Sequence, residues 1–273
     1  MTTRLLAITA EALTTTACLD AAYAAASVLD DAEIEALHVV VDPLQLIGTA
    51  DEIALQQARI PNEGSAQERE TAVWNAYDRW RSRHPDITMP VSWKTLVGAE
   101  EDGVQWEGAS FDLLVIARPR NLDGQNALHA AIYHTRRPLL FVPGTWRAND
   151  APPFGRHICI AWRNTASCER AVAGAMPWLR RAGQITLLTI GVGTHGVGGL
   201  KERLSGEGLP AQVFQVESEA AHPGEQILNE AYGLGADLLV MGAYRHNWLF
   251  ELLVHSTTRQ VLAKADLPLL MSH

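Results

Sequence analysis

The stretch Ala236-Asp237-Leu238-Leu239-Val240-Met241-Gly242-Ala243-Tyr244-Arg245, running on to His255-Ser256-Thr257-Thr258-Arg259-Gln260-Val261-Leu262, decides the reading of this chain. An apolar run ends at a glycine, a loop follows, and a hydroxyl-rich opening leads into a second apolar-periodic segment. That order reads as buried strand, turn and helix N-terminus. In an open α/β sheet the carboxyl ends of the strands face a crevice, and the next helix points unpaired N–H groups into it, so a ligand site is expected there. Ser256, Thr257 and Thr258 serve either as caps, satisfying orphan backbone donors, or as an anion cradle; the two roles are compatible.

Working outward, Arg4 to Thr9 is a short apolar run, and Thr14 to Leu29 carries Cys18, Leu19, Ala22, Ala25, Ala26 and Leu29 at helical spacing. Ala36 to Val41 is a second β-branched run, so the chain opens as a βαβ unit with a parallel sheet and right-handed crossovers. Residues 42 to 98 are less regular, apart from an amphipathic helix over Ser65 to Arg83, with Val73, Trp74, Tyr77 and Trp80 largely on one face, and a strand over Met89 to Val97. Phe111 to Ile116 and Pro138 to Pro143 read as the last strands of the first half, the prolines placing the latter at a sheet margin. Gly144 to Gly155 has no periodicity and reads as a connection.

The pattern then restarts. His157 to Trp162 is a strand, Ser167 to Arg181 a helix, Gln184 to Ile190 a strand, and Gly191 to Gly199 a glycine-rich loop whose G-x-G fragments do not fit a dinucleotide fingerprint. Strand, helix and strand follow over Gln212 to Val216, Pro223 to Leu234 and Asp237 to Met241; the chain closes on a strand at Pro268 to Met271. Phe111-Asp112-Leu113-Leu114-Val115 repeats as Ala236-Asp237-Leu238-Leu239-Val240, and Arg137-Pro138-Leu139-Leu140-Phe141 as Leu267-Pro268-Leu269-Leu270-Met271. Two copies of one βα sandwich result, the first about 28 residues longer ahead of its Asp. The domains are therefore expected at 1–145 and 156–273, joined by 146–155.

A net charge of −9 argues against a nucleic-acid or anionic-membrane partner. No segment approaches the roughly 18 apolar residues of a membrane span, and the apolar run at the N-terminus is too short for a signal peptide, so a cytoplasmic protein is expected. Cys18, Cys159 and Cys168 form no CxxC pair and read as buried apolar residues of a reduced chain.

These residues resemble the universal stress protein family in its tandem two-domain form. Family members that bind nucleotide carry G-x-x-G-x9-G-[ST] after the fourth strand, and this chain offers Gly242-Ala243-Tyr244-Arg245, nine residues, then His255-Ser256. Ala161-Trp162-Arg163-Asn164-Thr165 is similar to the family's V-A-W-N-G-S strand end, and Met176-Pro177-Trp178-Leu179-Arg180-Arg181 and the terminal Leu267 to His273 add to the likeness. The resemblance implies an α/β fold of the Rossmann-like, adenine nucleotide alpha hydrolase-like kind. That fold has two tandem open parallel five-stranded sheets with helices on both faces. It also implies ATP at the strand ends of the second domain, held by Arg163, Thr165, Ile190, Met241, Gly242, Arg245, His255, Ser256, Thr257 and Thr258.

Three of these positions depart from the family pattern: Arg245 and His255 replace signature glycines, and Arg163 stands where the family has an Asp. Glycine in such a loop permits positive φ or close approach to phosphate, so the two replacements open the cradle; against that, a guanidinium grips phosphate by paired charge-assisted bonds. Both a rebuilt anion site and a nucleotide-free loop remain open. The first domain has Ala117 in place of the glycine and no Ser or Thr at Asn126-Ala127-Leu128, and no ATP is expected there.

No catalytic constellation stands out, and no enzyme is expected: G-x-S-x-G, GxxxxGK[ST] and H-E-x-x-H are all absent. His129 and His134, five apart, do not form a metal pair by spacing, and no metal site is expected. What the resemblance implies is a regulatory stress-response binding protein, or a nucleotide-free dimerisation or scaffolding module of the same fold. Terminal apolar strands suit edge pairing, giving an intramolecular pseudo-dimer and allowing a homodimer.

Overall fold

The computed structural model describes residues 2–148, 154–191, 196–218, 222–243 and 257–273. The chain divides into two compact units, Met1–Arg137 with Gly144–Ala148, and Pro138–Pro143 with Asn149–His273. In each, a parallel sheet carries the core, and helices bridge its strands.

In the first unit β1 (Thr3–Ile8) is flanked by β2 (Ala32–Val40) and β4 (Leu113–Ala117), and β3 (Val91–Val97) lies beyond β2; every pairing is parallel. All five β4 residues are buried, as a strand covered on both faces requires. Helices α1 (Ala12–Ala26), α2 (Ala50–Glu63), α3 (Ala66–Arg83), α4 (Glu100–Gly108) and α5 (Leu122–Tyr133) complete it. The α3 helix matches its expected span and buries Val73, Ala76, Tyr77 and Trp80. Trp74 stays 44% exposed and instead packs edge-on to Trp93 at 5.3 Å between ring centroids.

The α2 helix lies in the stretch whose periodicity is weak. Its start is nonetheless written locally: Thr49 accepts the Glu52 N–H while the Glu52 carboxylate accepts the Thr49 N–H, a reciprocal capping box. Polar contacts dock it. Arg59 Nη1 lies 2.6 Å from Asp123 Oδ1 in the first turn of α5, and Gln56 Nε2 donates to the same oxygen at 3.0 Å.

In the second unit β6 (His157–Ala161) is central, between β7 (Gln184–Ile190) and β9 (Leu238–Gly242), with β8 (Gln212–Val216) beyond β7 and β10 (Leu269–Ser272) beyond β9. Its helices are α6 (Ala166–Leu179), α7 (Val197–Gly206), α8 (Pro223–Gly233) and α9 (Thr257–Lys264). The segment β5 (Leu139–Val142) lies with the second unit and pairs antiparallel to β10, Phe141 opposite Leu269 and Leu139 opposite Met271. The fold is thus α/β with mostly parallel strands. Helix α7 begins inside the expected glycine-rich loop, which shortens that loop at its C-terminal side.

All three cysteines are buried and free, and burial pushes the Cys18 and Cys159 thiols up to about 12. Among the described residues no helix is long and apolar enough to cross a membrane.

Candidate functional site: the strand-end cleft of the second unit

The chain leaves β6 toward β7 and β8, then returns across to β9 on the other side of β6. Strand order therefore reverses at β6/β9, and a crevice opens between the loops that follow the two strands. A cleft of about 300 Å³ occupies that place, lined by Ala161, Trp162 and Arg163 after β6, Leu188 and Ile190 of β7, Met241 and Gly242 of β9, Cys168 of α6, Ser218, Pro223 and Ile227 at α8, and Thr257 at the start of α9.

Five residues singled out from the sequence, Arg163, Ile190, Met241, Gly242 and Thr257, meet in this one cleft. Gly242 has no room for a side chain: a Cβ would lie 2.6 Å from Ser167 Oγ and 2.8 Å from the Cys168 nitrogen. The glycine thus lets β9 run against the first turn of α6. Thr165 serves a different end. It is the N-cap of α6, its Oγ1 accepting the Cys168 N–H at 3.4 Å and lying 3.3 Å from Ser167 Oγ, and it does not line the cleft. Thr258 is 2% exposed inside α9, so of the adjacent threonines only Thr257 faces the cleft. Arg245, His255 and Ser256 lie outside the described residues.

Two cleft features escape the motif reading. Trp162 is 5% exposed, and its indole Nε1 has no hydrogen-bond partner among the described residues. A buried N–H donor without an acceptor is uncommon in folded proteins. The residue was visible within Ala161-Trp162-Arg163, but nothing in the pattern separates an indole that lines a cleft from one in the core. Ser218 and Pro223 arrive from the far side of β8, with no signal of their own.

Near the corresponding strand ends of the first unit, two buried titratable side chains are engaged by its own backbone. Glu11, 8% exposed at the end of the β1 loop, accepts the Arg120 N–H at 2.9 Å, and burial raises its carboxyl above the ordinary value. His38 on β2 is buried with Nδ1 2.9 Å from the Thr9 carbonyl, and desolvation lowers its imidazole below the ordinary value.

Residues 199–273 match the model of the universal stress protein family. No curated protein sequence matches the chain. Among solved structures, a universal stress protein from Archaeoglobus fulgidus is similar over 98% of this chain and 97% of that one, with a TM-score of 0.64 at 12% identity. A functionally unknown protein from Pseudomonas aeruginosa is similar over 98% of this chain and 91% of that one, with a TM-score of 0.57 at 14% identity. At such identities the structural likeness speaks to the fold. The chain is a tandem α/β protein whose two units repeat one architecture. The likeness to the universal stress protein model is confined to residues 199–273, and the fold as a whole is similar to that of the solved universal stress protein.

Proposed function

We propose that this chain is a regulatory universal stress protein that binds an adenine nucleotide in the cleft of its second unit and acts by binding, not by catalysis. The observation that carries the reading is the convergence of Arg163, Ile190, Met241, Gly242 and Thr257 at the β6/β9 switch point. The chemistry suits a flat heteroaromatic ring bearing an anion. Ile190, Leu188 and Met241 offer an apolar wall, beside which the Trp162 indole lies. Arg163 offers positive charge for phosphate. A volume of about 300 Å³ lies at the lower end of small-molecule sites, where a nucleoside is the part enclosed and phosphates extend outward.

One observation favours a second reading, a nucleotide-free scaffolding module. Thr165 is engaged as a helix cap and Thr258 is buried, so two of the expected phosphate-side hydroxyls are already committed. One experiment separates the two. Freshly purified protein is denatured and searched for released nucleotide, and the apo chain is titrated with ATP by calorimetry. Binding of one ATP per chain, weakened about tenfold or more in Arg163→Ala/Thr257→Ala, is the expected result, since a charge-assisted bond contributes roughly 1.5–3 kcal/mol. Absence of heat up to millimolar ATP would leave the scaffolding reading. Release of inorganic phosphate above the buffer rate would overturn the non-catalytic part.

A further inference from the structure

The first unit brings together three side chains that the sequence keeps apart. Glu101 lies in the first turn of α4, His129 in α5, and His134 at the C-cap of α5. Glu101 Oε1 is 3.1 Å from His129 Nδ1 and 3.1 Å from His134 Nδ1. The two imidazole rings meet edge to face, their centroids 5.1 Å apart. One donor atom from each of the three lies within 4.8 Å of the others.

Residues five apart on an ideal helix project about 140° apart, which is why spacing alone argues against a pair. The chain escapes that limit at the end of α5. His134 has φ −112°, ψ −20°, off the ideal helix, and its ring comes to the same side as His129. Because α4 packs against α5, Glu101 reaches both rings.

We propose that Glu101, His129 and His134 form a binding site for a divalent transition-metal ion, Zn²⁺ first among them. The donor set is two imidazole nitrogens and one carboxylate oxygen, which suits a borderline cation. Bonds of about 2.0–2.2 Å in a tetrahedral arrangement put neighbouring donors about 3.3 Å apart, and both Glu–His separations are already close to that value. The donor atoms of the three side chains lie no more than 4.8 Å apart, and coordination draws the two imidazoles together. The three side chains are 24 to 40% exposed, so the site is partly covered yet reachable. His134 also lines an open cleft of about 940 Å³ with Asp102, Trp106 and Ser110, through which an ion and a water ligand enter. Three protein donors and one open position make a site that exchanges its metal and accepts an external ligand, in contrast to a closed structural site.

The test uses the full chain, stripped with chelator and titrated with ZnCl₂ by calorimetry, with Co²⁺ as a spectroscopic stand-in. The expected result is one Zn²⁺ per chain and visible ligand-field bands of four-coordinate Co²⁺. His129→Ala and His134→Ala each weaken binding more than about tenfold, a range that even outer-shell changes reach. Glu101→Gln weakens it as well. His129→Gln/His134→Gln, whose far-UV circular dichroism and thermal midpoint report that the fold persists, abolishes the bands. No saturable uptake by the unaltered chain overturns the proposal, and so does stoichiometric uptake that survives in the folded double variant.

Discussion

Gly242 at the end of β9 stands against Ser167 in the first turn of α6, so close that a Cβ on Gly242 would lie 2.6 Å from the Ser167 Oγ. The same added atom would sit 2.8 Å from the Cys168 nitrogen and 3.0 Å from its Sγ. Gly242→Ala is therefore expected to lower stability by about 1–3 kcal/mol through overpacking. A urea melt reads it as a reduced midpoint with an unchanged slope. Ser167→Ala in the same chain should restore only part of the loss, because the Cys168 backbone cannot withdraw as a side chain can. Full rescue by Ser167→Ala would show that the backbone contact is immaterial.

The repeated Asp of the two halves differs in what it holds. Asp237 accepts the N–H groups of Gly155, Arg156 and His157, at 2.8, 3.1 and 3.2 Å, and so fixes the entry of β6. Asp112 accepts one backbone N–H, from Arg4 at 2.9 Å, at the entry of β1. Asp237→Ala is expected to cost about 1.5–3 kcal/mol and Asp112→Ala about 0.5–1.5 kcal/mol. Equal costs in thermal or denaturant melts would mean that the shared motif, not the number of bonds, sets the effect.

The repeat made the parallel strands legible, since apolar runs such as Leu113 to Ala117 and Leu238 to Gly242 are buried end to end and carry few other readings. The strand-end cleft was legible for the same reason: residues that close such runs must meet where strand order reverses. Helix α2 was not, because it docks through Gln56 and Arg59, which no apolar periodicity marks, although Thr49 and Glu52 announce its start. The pairing of β5 with β10 was legible in kind, since apolar terminal strands suit edge pairing, but its register was not. The sequence Leu-Leu-Phe-Val carries no register signal, and only three-dimensional placement puts Phe141 opposite Leu269. Side-chain partners separated by a whole element, such as Glu101 and His134, leave no local trace at all.

Arg59 and Asp123, 8% and 6% exposed, form a 2.6 Å ion pair that Gln56 and Glu63 extend. Removing one member leaves the other charged and dry. Arg59→Met is expected to destabilise the chain by about 3–5 kcal/mol. Arg59→Met/Asp123→Leu should be less destabilised than the sum of the single changes, because the uncompensated charge is gone. Chemical denaturation of the four proteins forms the cycle, and strict additivity would show that the pair contributes nothing as a pair.

Glu100 opens α4 with 2% of its surface exposed, and neither carboxyl oxygen has a hydrogen-bond partner among the described residues. Desolvation holds its carboxyl well above the ordinary 4.5; the nearby Asp123 charge adds to the rise, and Arg59 opposes it. In the folded chain the group stays protonated where the unfolded chain has already released the proton. Folding then takes up a proton at every pH between the two values, so stability falls as pH rises from about 4.5, by about 1.4 kcal/mol per pH unit, until the buried carboxyl itself ionises. Glu100→Gln keeps the shape and removes the proton. Its stability relative to the unaltered chain should therefore increase steadily with pH above about 4.5 and level off only where the folded carboxyl ionises. Urea melts of both proteins from acid to neutral pH provide the comparison. A difference that stays constant over that range would mean that Glu100 is ionised in the fold, with water supplying the partners its oxygens need. The Arg59→Met background sharpens the outcome: loss of a cation that opposes the rise should carry the pH-dependent gain of Glu100→Gln to a higher pH.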